Sequence, residues 1–128
     1  MLIEKINREL IKAINETGLT PIDDLEYINA NTVFINELYM FNNSNTKDTN
    51  KEDYYVVLQL YENDTSKLAM YRNSQAFKSN FKELFPEVID NYRLDCRIIK
   101  EASQKVFSDV GKFYQYTIEL TISAYKIL

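Results

Sequence analysis

From Lys112 to Leu128 the chain alternates residue by residue. Tyr114, Tyr116, Ile118, Leu120, Ile122 and Ala124 fall on one side, and Gln115, Thr117, Glu119, Thr121 and Ser123 fall on the other. Successive strand side chains point to opposite faces, so the pattern predicts a long strand with one buried and one wet face. A partner for it lies just upstream. Leu94, Cys96 and Ile98 alternate with Asp95 and Arg97, and Val106 and Phe107 prolong the apolar signal. Ser108–Gly111 reads as a turn in which Gly111 can take positive φ. These segments predict a long C-terminal β-hairpin, with a bulge where the pair Ile98-Ile99 breaks the alternation.

The remainder supplies two helices and more strands. In Leu2–Thr17, Ile3, Ile6, Leu10, Ala13 and Ile14 share one helical face, with opposite charges four residues apart on the other. Gly18 and Pro21 mark its end. Thr20–Asn31 reads as a connection, and its acids Asp23, Asp24 and Glu26 as a solvated turn rather than a calcium loop. Thr32–Phe41 reads as a strand, or a strand with a bulge, because its alternation is broken. Tyr54–Tyr61 is a near-continuous run of β-formers, as in a central strand covered on both faces. Leu68–Arg72 fits a returning strand, although a helical turn fits it too. Ser74–Phe85 is a second helix with Phe77, Phe81, Leu84 and Phe85 at helical spacing, capped by Asn73 or Ser74 and stopped by Pro86. The expectation is an α+β fold: an antiparallel or mixed sheet, both amphipathic helices packed on one face, and the C-terminal hairpin. Residues 1–128 fit a single domain.

Asn42–Asp53 contains no apolar side chain. Nothing in it offsets the entropy of ordering by burial, so the expectation is a mobile loop over 42–53.

Absences narrow the chemistry. The chain has no histidine, one cysteine and two glycines. Ser-His-Asp and Cys-His catalysis, histidine-containing or four-cysteine zinc sites, paired-cysteine redox motifs and Gly-rich phosphate loops are all excluded. Asp95, Glu101 and Glu119 on the terminal hairpin are the candidates for carboxylate chemistry, but nearby Arg97 and Lys112 make them ordinary surface pairs. Cys96 should face the core as an inert thiol. No cofactor or metal is expected, and the chain does not read as an enzyme. The net charge of −4 argues against direct nucleic-acid binding, and no apolar run is long enough to span a membrane.

Tyrosine is abundant, with ten residues against no tryptophan. Clusters at Tyr54, Tyr55 and Tyr61 and at Tyr114, Tyr116 and Tyr125 suit a protein interface, or simply β-strands. Tyr114 and Tyr116 should pack in the core, whereas Tyr125 should lie at a surface or interface.

The order of helix, strands around a long loop, helix, and closing hairpin resembles the phage tail terminator proteins, also called tail completion or head–tail joining proteins. The closest stretch is Phe107–Ile127: a turn with Asp109 and Gly111, then Tyr114 and Tyr116, then the alternating strand. That resemblance implies a structural role in virion assembly, in which a ring of copies, usually six, caps the tail tube and docks to the head connector. The partners would be itself, the tail-tube protein and the connector, and the location the virion, assembled in host cytoplasm. Its loop would order against a neighbour. Asn42, Asn43, Asn45, Lys47 and Lys51, with Tyr54 and Tyr125, are then the candidate interaction residues. A small cytosolic binding module or regulator acting through a tyrosine-rich surface is the alternative.

Overall fold

The structure is a computed structural model in which residues 1–45, 50–63, 67–108 and 111–127 are described. Helix α1 spans Leu2–Glu16 and buries Ile6, Leu10, Ala13 and Ile14. Its last turn is closed by Thr17, whose Oγ1 donates to the Ile14 carbonyl at 2.6 Å. Gly18 follows at φ 92°, a left-handed conformation that costs glycine little. Then come β1 (Thr20–Ile22), a one-turn 3-10 helix (Leu25–Tyr27), β2 (Thr32–Asn45), β3 (Asn50–Asn63), helix α2 (Lys67–Leu84), β4 (Val88–Ile89), β5 (Tyr92–Ser108) and β6 (Gly111–Lys126). The strands form one sheet in the order β1-β2-β3-β6-β5-β4. Only β1 and β2 run parallel, so the fold is mixed α+β with two helices and a curled six-stranded sheet.

Strand β6 organises the sheet. It pairs antiparallel with β3 from Lys51↔Tyr125 to Asn63↔Phe113, and with β5 from Tyr92↔Lys126 to Ser108↔Gly111. Its buried set includes Tyr116, Ile118, Leu120, Ile122 and Ala124, the alternation read from the sequence. With Tyr54, Val56, Leu58 and Leu60 of β3, Val33 of β2, Leu94 of β5 and the buried residues of both helices, they make one hydrophobic cluster.

Several expectations are corrected. Asn42–Asn45 and Asn50–Asp53 are strand, not loop, and only 46–49 of that segment lie outside the described residues. Their order comes from pairing rather than apolar burial. The β2–β3 ladder runs to Asn45↔Asn50, and β6 flanks β3 as far as Lys51. Leu68–Arg72 is helix, the first turns of α2. Met70 and Ser74 extend the stripe of Phe77 and Phe81 at helical spacing, so Ser74 is a buried helix-interior residue and not a cap. Its Oγ donates back to the Tyr71 carbonyl at 2.9 Å. Helix α2 does stop before Pro86, which has no N–H to continue the ladder. Between Thr20 and Asn31 the connection holds β1 and the 3-10 helix, where the Asp24 carboxylate accepts from the Glu26 N–H at 3.0 Å.

The bulge expected at Ile98-Ile99 is present, and of the two readings of Thr32–Phe41 the bulged strand is the one observed. Pairing shifts between Ile35 and Glu37 and between Met40 and Asn42 in β2, and between Ile98 and Lys100 in β5.

Candidate interaction surface

The register places a second set of side chains opposite in parity to the core set. Across β2, β3, β6 and β5 it forms rows: Phe34, Gln59, Thr117 and Ala102; Tyr39, Tyr55, Thr121 and Arg97; Asn42, Asp53, Ser123 and Asp95; Ser44, Lys51, Tyr125 and Arg93. None of these residues belongs to the hydrophobic cluster that the helices join. The set is nonetheless poorly exposed along β3 and β6. Asp53, Val57, Tyr61, Phe113 and Gln115 are all buried.

Polar groups here satisfy one another. Asp53 accepts from Ser123 Oγ at 2.6 Å and from Asn42 Nδ2 at 2.9 Å, with the Lys51 ammonium 3.5 Å away. Burial opposes the charge on Asp53, but these hydrogen bonds and the Lys51 charge outweigh it and hold the carboxyl below its usual range. The Tyr55 hydroxyl donates to Glu119 Oε1. That bond, reinforced by burial and the Glu119 charge, pushes the phenol up to about 12. The hydroxyl of Tyr61 lies 3.1 Å from Gln59 Oε1 and 3.0 Å from Gln115 Oε1, and Gln115 in turn donates to Thr117 at 3.2 Å. Tyr39 and Tyr55 rings sit 5.4 Å apart.

The sequence-derived candidates divide. Asn42, Lys51 and Tyr125 come together: the Tyr125 ring has Lys51 Nζ 5.6 Å from its centroid and the Arg93 guanidinium at 5.2 Å. Asn43 lies opposite Glu52 and is exposed, lining a small cleft with Tyr92 and Lys126. Asn45 pairs with Asn50 through the backbone. Lys47 lies outside the described residues. Tyr54 is a core residue, buried in the cluster, and its hydroxyl donates to Glu52. Tyr125 is half-buried.

The carboxylates considered for chemistry are engaged in separate ion pairs. Asp95 pairs with Arg97 at 3.1 Å, and Glu119 approaches Lys100 at 3.9 Å. Hydrogen bonds from Lys78 and Tyr116 hold the Glu101 carboxyl low and tie α2 to β5. Burial pushes the Cys96 thiol up to about 12. Among the described residues no group of three metal-ligating side chains occurs, and no helix is long and apolar enough to cross a membrane. What the arrangement offers chemically is hydrogen-bonding and aromatic contact over a broad area.

Among the described residues both margins of the sheet are open beyond two short strands. β1 pairs with β2 only from Thr32 to Phe34, and β4 pairs with β5 only at Tyr92 and Arg93. Beyond them run exposed apolar residues: Tyr39, Met40 and Phe41 on β2, and Ile98 and Ile99 on β5. Sequence reading missed these edges, because which strand is an edge depends on strand order. It placed Tyr55 and Tyr61 in a tyrosine cluster without separating them from core Tyr54, and it missed Asp53, whose only signal was its parity relative to Tyr54.

No protein-family model matches the chain, and no curated protein matches it.

Proposed function

We propose that this chain is a structural assembly protein of a bacteriophage particle, a tail terminator that caps the tail tube and joins it to the head connector as a ring of copies, most simply a hexamer. In this reading both helices cover one face of the sheet, β5 and β6 lie side by side as its C-terminal strands, and the margins are left for contacts. The observation that carries it is the pair of long open edge strands with exposed apolar residues, Tyr39–Phe41 and Ile98-Ile99. Extended edges are templates for pairing with another chain, and a subunit built for assembly has a use for them.

The test is deletion of the gene from the genome that encodes it, followed by negative-stain microscopy of the particles. Tails of abnormal length that fail to join heads are expected, together with the chain in purified wild-type virions by mass spectrometry. Tails that keep normal length and still join heads overturn the proposal. The binding-module reading then takes its place. It is favoured by the tyrosines of the second face, Tyr39, Tyr55 and Tyr125.

A further inference from the structure

We propose that the subunit binds a second copy of itself head to tail, the open edge of β2 on one copy pairing antiparallel with the open edge of β5 on the next. The contact rests on the assembly reading above and names the surface it uses.

The first support is directional. β2 runs antiparallel to β3, β3 to β6, and β6 to β5, so β2 and β5 run in opposite directions at the two ends of the main ladder. A copy turned about an axis along the strands presents its β2 antiparallel to the first copy's β5, and the sheet continues without a break in its alternation. Among the described residues no strand lies outside β2 from Ile35 to Asn45, nor outside β5 from Asp95 to Gln104; Leu94 donates its N–H to the Glu87 carbonyl. Both rows of backbone groups are long enough to pair.

Charge supplies the second support and selects the partner. From Ala13 to Asn45 the chain carries Glu16, Asp23, Asp24, Glu26 and Glu37 and no lysine or arginine. Glu16 ends α1, and from Thr20 onward this segment forms the β1–β2 margin. From Arg93 to Lys105 it carries Arg93, Arg97, Lys100 and Lys105 against Asp95 and Glu101. On the α2 side of β5, Lys78, Lys82 and Arg97, with Glu87 and Asp95, border an open groove of about 530 Å³ whose walls include Phe81 and Ile98. The β1–β2 segment itself is acidic, with Lys5 of α1 near Met40, and the β5 segment is net positive. Two β2 edges repel, as do two β5 edges, whereas β2 on β5 attracts. Exposed Tyr39, Met40 and Phe41 on one side and Ile98 and Ile99 on the other supply apolar area to the same contact. A head-to-tail contact on a curled sheet closes into a ring when the rotation allows, which leaves no edge exposed.

The experiment uses the full chain in a Cys96→Ala background. One preparation carries Tyr39→Cys on β2 and the other Arg97→Cys on β5; both positions belong to the same face of their strands. Each alone, and the two mixed, are treated with a short bismaleimide at a concentration where sedimentation detects self-association. The expected product is a mixed dimer in clear excess over either homodimer. Glu37→Lys and Arg97→Glu should each weaken self-association by about 2- to 5-fold, the size of an exposed ion pair, and mixing these two variants should restore it. Both sites are exposed, so melting midpoints should stay at the parent value. Dominant homodimers, a chain that sediments as a monomer throughout, or an oligomer that gives no cross-link would overturn the contact. Abnormal tails on deletion together with failed cross-linking would remove only the edge contact; efficient cross-linking with normal tails on deletion would remove only the tail function.

Discussion

Replacing Ile118 by alanine tests the division of β6 into two faces most directly. Ile118 is 1% exposed and sits between Leu58 of β3 and Glu101 of β5, in the middle of the sheet. At ~0.8 kcal/mol per buried carbon group, the ~3 carbons removed account for about 2.4 kcal/mol. Paired strands on both sides restrict collapse, and a residual void of roughly 40–80 Å³ adds about 1–2 kcal/mol at ~24 cal/mol per Å³. The total is about 3.5–4.5 kcal/mol. For 128 residues the unfolding entropy is about 270 cal/mol/K, so the melting temperature should fall by roughly 13–17 °C. Thr117→Ala on the other parity loses the hydroxyl that accepts from Gln115, at a cost of about 1 kcal/mol and a fall of about 4 °C. Differential scanning calorimetry at one fixed protein concentration reads both. If Ile118→Ala melts within about 4 °C of the parent, or Thr117→Ala costs more, the assignment of faces is wrong.

Two further outcomes follow from the shifted titrations. The Asp53 carboxyl is held below its ordinary value of 3.8, so its stabilisation is present above that value and is lost as pH falls through the native one. Asp53→Asn should therefore destabilise near neutral pH, by a gap that narrows as pH falls below 3.8, measured by denaturant midpoints; a gap that does not narrow in acid would contradict the network. With its thiol pushed up to about 12 by burial, native Cys96 should react with Ellman's reagent at about pH 8 at least ~100-fold more slowly than in denaturant, and equal rates would contradict its placement.

Much of this fold can be read from local pattern. Alternation in β6, the apolar stripe of α1 and the β-former run of β3 each report a buried face directly, because side-chain direction is set by backbone period. Asn42–Asp53 shows where that stops. Its side chains carry no burial signal, and the order of Asn42–Asn45 and Asn50–Asp53 depends on β6 lying alongside β3 as far as Lys51↔Tyr125, a pairing between residues far apart in sequence. Helix α2 shows a second limit. Ser74 has the composition of a cap, yet it is buried within the helix because Met70 and Phe77 on the same stripe reach the core. Of the interaction surface, Lys51 and Tyr125 were visible as residue types. Their meeting, and the open edges, follow only from strand order.

The physical state of the second face bears on which part of the molecule a partner would engage. Among the described residues no buried side-chain nitrogen or oxygen lacks a hydrogen-bond partner. Asp53 is held by Ser123, Asn42 and Lys51, and Glu119 by Tyr55 and Lys100. A protein docked on this face would have to desolvate those carboxylates, and they already have the donors that would compensate them, so the partner gains little in return. The margins are different. Their backbone rows have no neighbouring strand among the described residues, and Met40, Phe41, Ile98 and Ile99 expose apolar surface that water does not reward. Pairing there gains hydrogen bonds and apolar burial together, at the cost of ordering segments already held as strands. A second face whose polar groups are already paired, together with open edges, suits a sheet that grows sideways. That weighs toward an assembling subunit over a module that captures a partner on its tyrosines.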